Sequence, residues 1–530
     1  MNRPWMLALQ AAVPKFALFL LVVALGLAIA LLPWKWAVLL VIGGILLFLI
    51  LVRPQFALCF LAFAVPFGSI RELPLGPVNI SAAELLIALL FASWLAHMAA
   101  RRCIWIPRAP LLLPLFIFLG AISLSTLVAT SLELSAKEIV KWLEVILLYW
   151  FMADMVEERW GRRVVWSLLA AGSAEALVGV YQCLRQIGPE GFILFGRFMR
   201  AYGHFAQPNP FAGYLGLVLP LAYALVLEAF SLMRARQVKQ RLWGVVPLMA
   251  FAVMLAAMIM SWSRGGWVGL AAALMVVTAV RSRTARIYTL MIGLLVAYLL
   301  LMSGVQYLPP AWVQRISDFI PYMGGIDVTR VEVTDANWAV VERMAHWLAA
   351  IGMFSDHPWL GVGIGNYPVA YPQYALGRWR EALGHAHNYY LNIAAEAGVI
   401  GLGAYLFLFG ACFVQAWRVI RRLSKPATKF AANLEANTES ALHGAQGSRR
   451  REKILDEARN NRASLQCMRE DLTTALPGYS YWRAVASGVL GVLVHLSVHH
   501  VFDNLFVHSM NVQLGLLLGL LSVAEKSTEG

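Results

Sequence analysis

Apolar runs of about 20 residues recur along the whole chain, each long enough to cross the hydrocarbon layer of a bilayer as a helix. They fall near residues 16–32, 34–51, 55–68, 80–98, 110–129, 138–155, 164–184, 209–230, 243–262, 266–280, 287–304, 387–417, 482–502 and 508–523. The runs are continuous rather than alternating, which excludes a β-barrel. In hydrocarbon a helix then satisfies every backbone N–H and C=O within its own segment. The pattern predicts an all-α, polytopic transmembrane helical bundle of about 12–14 spans. Segment 55–68 is short enough to be re-entrant. The first run is followed at once by others, so it reads as a retained span rather than a signal peptide.

Two long polar stretches interrupt the pattern. Residues 305–386 are too many for a plain connector and contain Glu342-Arg343-Met344-Ala345-His346-Trp347, which predicts an amphipathic helix at the interface. Arg343 and Trp347 are four apart and share a face. Residues 421–480 are rich in Ala, Glu, Arg, Asn and Gln and read as a solvated spacer or a docking insert. The expected division is 1–190 for the N-terminal spans, 191–420 for a catalytic core that includes loop 305–386, 421–480 for the polar insert, and 481–530 for a C-terminal hairpin.

Charge orients these spans. With the N-terminus in the cytoplasm, Arg53, Arg101-Arg102, Arg159, Arg162, Arg234, Arg281, Arg283 and Arg418 all fall on the inner side, as the positive-inside rule expects. Residues 185–208, Ser263-Arg264-Gly265-Gly266, loop 305–386 and His499-His500 then share the outer face. The formal net charge of +14 is therefore topological, and no basic-aromatic module points to nucleic acid. Charged residues are 14% of the chain, where a soluble protein carries about 25%. The five cysteines include no CxxC pair, so neither a disulfide framework nor a zinc site is expected.

The outer polar residues are the ones with chemistry to offer. Arg264 stands between two apolar runs, where an arginine is expensive and by default functional. Its forked guanidinium suits phosphate oxygens, and a snorkelling interfacial arginine is the plainer reading. Gly265 and Gly266 permit a helix break and close approach by a ligand. Gly361, Gly363 and Gly365 read as a tight turn bringing backbone amides close to something. His385 and His387 are two apart and would point to different faces of a helix, so one is expected to start the helix and the other to precede it. A histidine there can act as general base or donate to phosphate. With His499, His500 and Asp503 these histidines could also bind a metal, although no zinc-ligand spacing is present. Gln207-Pro208-Asn209-Pro210 is another outer helix start, with Asn209 as N-cap or substrate hydrogen-bonder and Pro210 in the first turn.

In chain order, Gln207-Pro208-Asn209-Pro210-Phe211-Ala212-Gly213-Tyr214, Ser263-Arg264-Gly265-Gly266-Trp267, the Arg343 helix, His357-Pro358-Trp359-Leu360-Gly361-Val362-Gly363, His385-Ala386-His387-Asn388 and Glu396-Ala397-Gly398 resemble the O-antigen ligase and polymerase superfamily. The likeness covers roughly 200–420 and is weaker at Phe502-Asp503. It implies a membrane-embedded glycosyltransferase of the bacterial inner membrane, working at its outer face. The donor is a glycan on undecaprenyl diphosphate. The acceptor is lipid A core, another lipid-linked repeat or a protein hydroxyl. No nucleotide sugar, metal or other cofactor is implied. The family's arginine and histidine map onto Arg264 and His387 as catalytic residues. Arg343, Asn209, Gln207, Asn388, His385 and Asp503 are the substrate-binding candidates.

Insert 421–480 and the number of spans depart from the usual ligase, which leaves the acceptor open between ligase, polymerase and protein O-oligosaccharyltransferase. Outside the class stands a lipid or glycan transporter, for which Glu84, Glu144 and Glu175 would be the intramembrane carboxylates. Lys141, three residues before Glu144, is expected to neutralise it on a helix.

Overall fold

The computed structural model describes residue 26 and residues 31–68, 73–75, 78–101, 109–234, 241–301, 313, 327–334, 337–443 and 477–527. The expected span 16–32 lies almost wholly outside these, as do 444–476 of the polar insert and most of 305–326.

The described chain is helical almost throughout. Helices α1 (Trp34–Val52) and α2 (Gln55–Phe67) lead to a two-stranded antiparallel ribbon, β1 (Leu73–Leu75) and β2 (Val78–Ile80). There follow α3 (Ala82–Arg101), α4 (Leu112–Leu124), α5 (Leu132–Met155) and α6 (Glu158–Arg185). A second ribbon, β3 (Ile193–Leu194) and β4 (Phe198–Met199), precedes α7 (Pro208–Gly216), α8 (Leu219–Arg234), α9 (Arg241–Met260), α10 (Arg264–Ala279) and α11 (Arg283–Leu301). The rest is α12 (Trp338–Asp356), α13 (Tyr367–Tyr374), α14 (Tyr389–His443), α15 (Pro477–His499) and α16 (Met510–Lys526).

Among the described residues six helices are long and apolar enough to cross a membrane: Trp34–Val52, Ala82–Ala100, Glu158–Arg185, Pro208–Ser231, Tyr389–Ser424 and Tyr479–His499. Shorter apolar helices stand between them. Leu113, Phe116, Val246 and Met249 lie exposed along α4 and α9. In water such continuous apolar faces would drive association; in a bilayer they meet lipid. The protein is a polytopic helical bundle, as the run lengths predict.

The chain forms two compact units. One comprises residues 1–58 and 88–104, where Ser93 Oγ donates to Ile50 O (3.4 Å) beside buried Leu90 and Trp94. The other comprises residues 59–87 and 105–530 and holds every candidate site residue. Within it α10 and α8 pack along α15, α16 packs along α5, and α14 bridges α4 and α15.

Several local expectations change. Lys141 pairs with Glu138 (2.5 Å) rather than with Glu144, whose Oε2 instead accepts from Asn511 Nδ2 of α16 (3.1 Å). The amphipathic helix extends over the whole of α12. The glycines at 361–365 do approach backbone, but it is this chain's own. Val362 N–H donates to Ala395 O (2.9 Å), and Val399 N–H to Pro358 O (2.8 Å) across the break in α14 at Gly398. Gly398 has φ 63° and abuts the Trp359 carbonyl, so both its backbone angle and its missing Cβ are needed there.

Small residues also set the spacing around α15. A Cβ at Gly216 would overlap the buried His495 imidazole. Gly216→Ala is expected to destabilise the protein by about 1–3 kcal/mol through overpacking. Gly120→Ala, where a Cβ meets nothing within 4 Å, should stay within about 0.5 kcal/mol. Thermal unfolding of the detergent-purified proteins compares them, and equal midpoints would contradict the close contact.

Candidate functional site

The candidate residues gather at one end of the second unit, where α10, α12 and α14 begin and α15 finishes. Asp503 lies just past the end of α15, with its N–H donating to His499 O (3.1 Å) and only 5% of its surface exposed. Its Oδ1 lies 3.2 Å from His387 Nδ1, 4.0 Å from His385 Nε2 and 2.9 Å from the N–H of Asn504. Burial alone would raise this carboxyl. The hydrogen bond from His387 and the charges of His387, His385 and Arg343 outweigh burial and hold Asp503 well below the usual carboxylate range. An ionised carboxylate only accepts, so the proton of this contact belongs to His387 Nδ1; in the neutral form of the ring the lone pair is then on Nε2.

Neither histidine starts the helix, contrary to expectation. Asn388 does: its Oδ1 accepts from the N–H of Leu391 (3.1 Å), the bond of an N-cap. His385 and His387 both precede α14 and turn to the same partner, and His387 takes a left-handed backbone (φ 52°). Three contacts hold that strained residue. Its N–H donates to His385 Nδ1 (3.1 Å), its carbonyl accepts from Trp347 Nε1 (3.2 Å), and its ring meets His346 edge-on at 5.6 Å. A non-glycine left-handed residue persists only when its surroundings over-determine it.

Helix α12 supplies that support. His346 Nδ1 is 2.9 Å from the Tyr367 hydroxyl, and the His346 ring stacks on Tyr371 at 4.6 Å. One turn earlier, Arg343 Nε is buried without a hydrogen bond among the described residues. Its charge acts on Asp503 and His385. A buried donor without an acceptor is rare in folded proteins and marks a place where an acceptor belongs.

Arg264 is the first residue of α10, after Ser263, whose side chain caps the N–H of Gly266 (3.4 Å). The glycines that follow serve helix packing rather than ligand approach: Gly265 faces His499 and Phe502 of the α15 terminus, and Gly266 faces Ala212. Arg264 is thereby held beside the segment that carries Asp503.

The start of α7 differs from expectation. Gln207, not Asn209, occupies the N-cap position, without a side-chain cap bond; Pro208 opens the helix and Pro210 stands in its first turn, as expected. Asn209 is inside the helix, and its Oδ1 accepts from Arg200 Nη2 (3.1 Å). Arg200, which the sequence reading passed over, also donates from Nε to Ser261 O (2.8 Å). It ties the β3–β4 ribbon to the turn that carries Arg264. Its only signal in the sequence was an arginine in an outward-facing loop. His346 was likewise missed, although it lies one residue before Trp347.

His385, His387 and Asp503 are the one group of metal-binding type found among the described residues, with ligand atoms within 4.8 Å of one another. They suit a cation poorly. His385 Nδ1 accepts the N–H of His387, which leaves its proton on Nε2, the atom facing Asp503. Two imidazole N–H groups therefore point at one carboxylate, and a metal would have to displace both protons.

The O-Antigen ligase family model matches residues 249–406, a stretch that contains Arg264, Arg343, His385, His387 and Asn388 but neither Asn209 nor Asp503. An O-antigen ligase of Pseudomonas aeruginosa is 27% identical over 215 residues. Together they support the O-antigen ligase superfamily. The alignment covers 40% of this chain and 46% of that relative, so the chain spans less than half of the ligase it matches.

Burial pushes the His346 imidazole down to about 4, helped by the neighbouring charges of His387 and His385. Burial does the same to His385, also to about 4, against the opposing pull of Asp503. An imidazole depressed on folding binds protons more readily in the unfolded chain, so its stabilising contribution is present above about pH 6.5 and is lost as pH falls towards 4. The melting temperature is expected to drop between pH 7 and 4.5, and less so in His346→Gln. Equal drops in the two proteins would count against a neutral His346.

Proposed function

We propose that the protein is an O-antigen ligase-type glycosyltransferase of the bacterial inner membrane. It takes a glycan from undecaprenyl diphosphate at the extracytoplasmic face and passes it to an acceptor hydroxyl such as that of lipid A core. The observation that carries this reading is the Asp503–His387 contact, 3.2 Å long, set beside the unsatisfied Nε of Arg343 at the Arg264 end of the bundle.

The chemistry follows from the donor. Attack on the anomeric carbon breaks its bond to the diphosphate, and negative charge grows on the leaving oxygen. Preorganised guanidinium groups stabilise such charge best in a water-poor site. Arg264 and Arg343 fill that role. The acceptor hydroxyl gives its proton to His387 Nε2 as its oxygen bonds to the anomeric carbon. Asp503 keeps the proton of the other nitrogen on Nδ1 and steadies the imidazolium that forms. His385, through its ring nitrogen, keeps the His387 backbone in place. Gln207 and Asn209 stand at the α7 entrance to the same end, where they would meet the glycan; Asn388 serves the helix terminus.

His387→Ala and Asp503→Asn are each expected to lower turnover about 10²–10⁴-fold, the usual contribution of a positioned base. Arg264→Ala should lose a similar factor through the leaving group. The assay is glycan transfer by purified protein with undecaprenyl diphosphate-linked glycan, read on a gel. Wild-type turnover in folded Arg264→Ala would refute the clamp. Weaker donor binding with unchanged turnover in His387→Ala would move that residue to recognition. Transfer only after lipid A core is added identifies a ligase, whereas a ladder of longer lipid-linked products without it would make the protein a polymerase.

A further inference from the structure

The opposite end of the same helices carries a cluster that the transfer reaction does not use. Arg281 lies 17 residues after Arg264, which at the helical rise places it about 25 Å away, close to one hydrocarbon thickness. There Arg281 Nη2 and Arg483 Nη2 both reach a single buried oxygen, Oε2 of Glu228, at 3.4 and 3.7 Å. The three side chains come from the ends of α8, α10 and α15 and rim a narrow cleft. Ala224, Val277 and Ala484 form its apolar wall, and Ser487 also lines it.

The geometry leaves this cluster short of negative charge. Among the described residues two guanidinium groups face one carboxylate, an excess of one positive charge. Both contacts are longer than the roughly 2.7–2.9 Å of a charge-assisted bond. Arg281 makes its short bond to a neutral group instead, the Ser231 hydroxyl at 2.8 Å. Among the described residues, much of the donor fork of each arginine is therefore unspent. Arg283 and Arg286, exposed just beyond, add to the positive field. An anion with two oxygens that can take paired N–H donors from a guanidinium fork, joined to an apolar body that can lie along the alanine and valine wall, fits all three features.

We propose that Arg281 and Arg483 bind the phosphodiester headgroup of an anionic phospholipid from the leaflet opposite the His387 site. Glu228 competes with that phosphate and keeps the arginines oriented when no lipid is seated. The lipid then ties α8, α10 and α15 together at the end distant from the chemistry. The site stands independently of the transfer reaction.

Native mass spectrometry of the delipidated full-length protein tests this, with phosphatidylglycerol or cardiolipin added and phosphatidylethanolamine as the zwitterionic comparison. Wild type is expected to retain the anionic lipids and shed phosphatidylethanolamine. Arg281→Gln/Arg483→Gln should reduce anionic-lipid retention by about tenfold or more. Glu228→Gln, which removes the competing carboxylate, should increase it. If the double variant does not fold, Arg483→Gln alone decides, with a several-fold loss expected. Equal retention by wild type and a folded arginine variant would overturn the proposal. So would lower retention in Glu228→Gln, which would mark the cluster as an internal ion pair only. Displacement of the lipid by millimolar inorganic phosphate would also overturn it, in favour of a free-phosphate site.

Discussion

An ionised carboxylate with 5% of its surface exposed, as at Asp503, is tolerable only where donors surround it, because moving an unpaired charge out of water costs several kcal/mol. Asp503 obtains those donors from both sides of the chain: imidazoles from the segment before α14, and the N–H of Asn504 from its own turn. That requirement pulls residues 385–387 onto the end of α15. It bends His387 into a left-handed backbone, and it brings α12 down through Trp347 and His346 to hold the bend. Removal of the carboxylate would leave two imidazole donors without an acceptor and the strained residue without its reason.

Close helix packing makes the arrangement possible. Gly216 and Gly265 leave room for His495 and His499 of α15, so the helix that ends in Asp503 lies directly against α7 and α10. Arg264, the first residue of α10, is placed by that same contact. The bundle thus converts small residues in apolar spans into precise spacing at its polar end. Its two ends differ in character. At the His387 end a buried acid is matched by imidazole donors and by arginine, whereas at the Arg281 end guanidinium groups outnumber the acid between them.

Much of the helical scaffold is legible in the chain because hydrocarbon allows few choices. An apolar run of sufficient length must become a helix, and its limits follow from where polar residues resume. The run at 34–51 is the helix Trp34–Val52, and the run at 266–280 is α10, displaced by two residues because Ser263 caps earlier. Where a residue has several possible partners, sequence spacing misleads. Lys141 lies three residues from both Glu138 and Glu144, and proximity on a helix does not choose between them; Asn511 on α16 takes Glu144 and leaves Lys141 to Glu138. Asn209 and Asn388 are both asparagines beside helix starts, yet Asn388 caps α14 while Asn209 accepts from Arg200.

Apolar run lengths are enough to make the chain an all-helical membrane bundle with a long polar loop, and residue chemistry is enough to single out the types able to meet a diphosphate and a hydroxyl. Hydropathy and chemical type are local properties, readable one segment at a time. That His385 and His387 share one carboxylate, that Arg343 keeps a buried donor unspent among the described residues, and that Arg200 braces the turn before Arg264 all follow from how distant segments pack. Those facts depend on contacts between residues up to 118 positions apart in the chain, and on a backbone angle at His387 that no local pattern specifies.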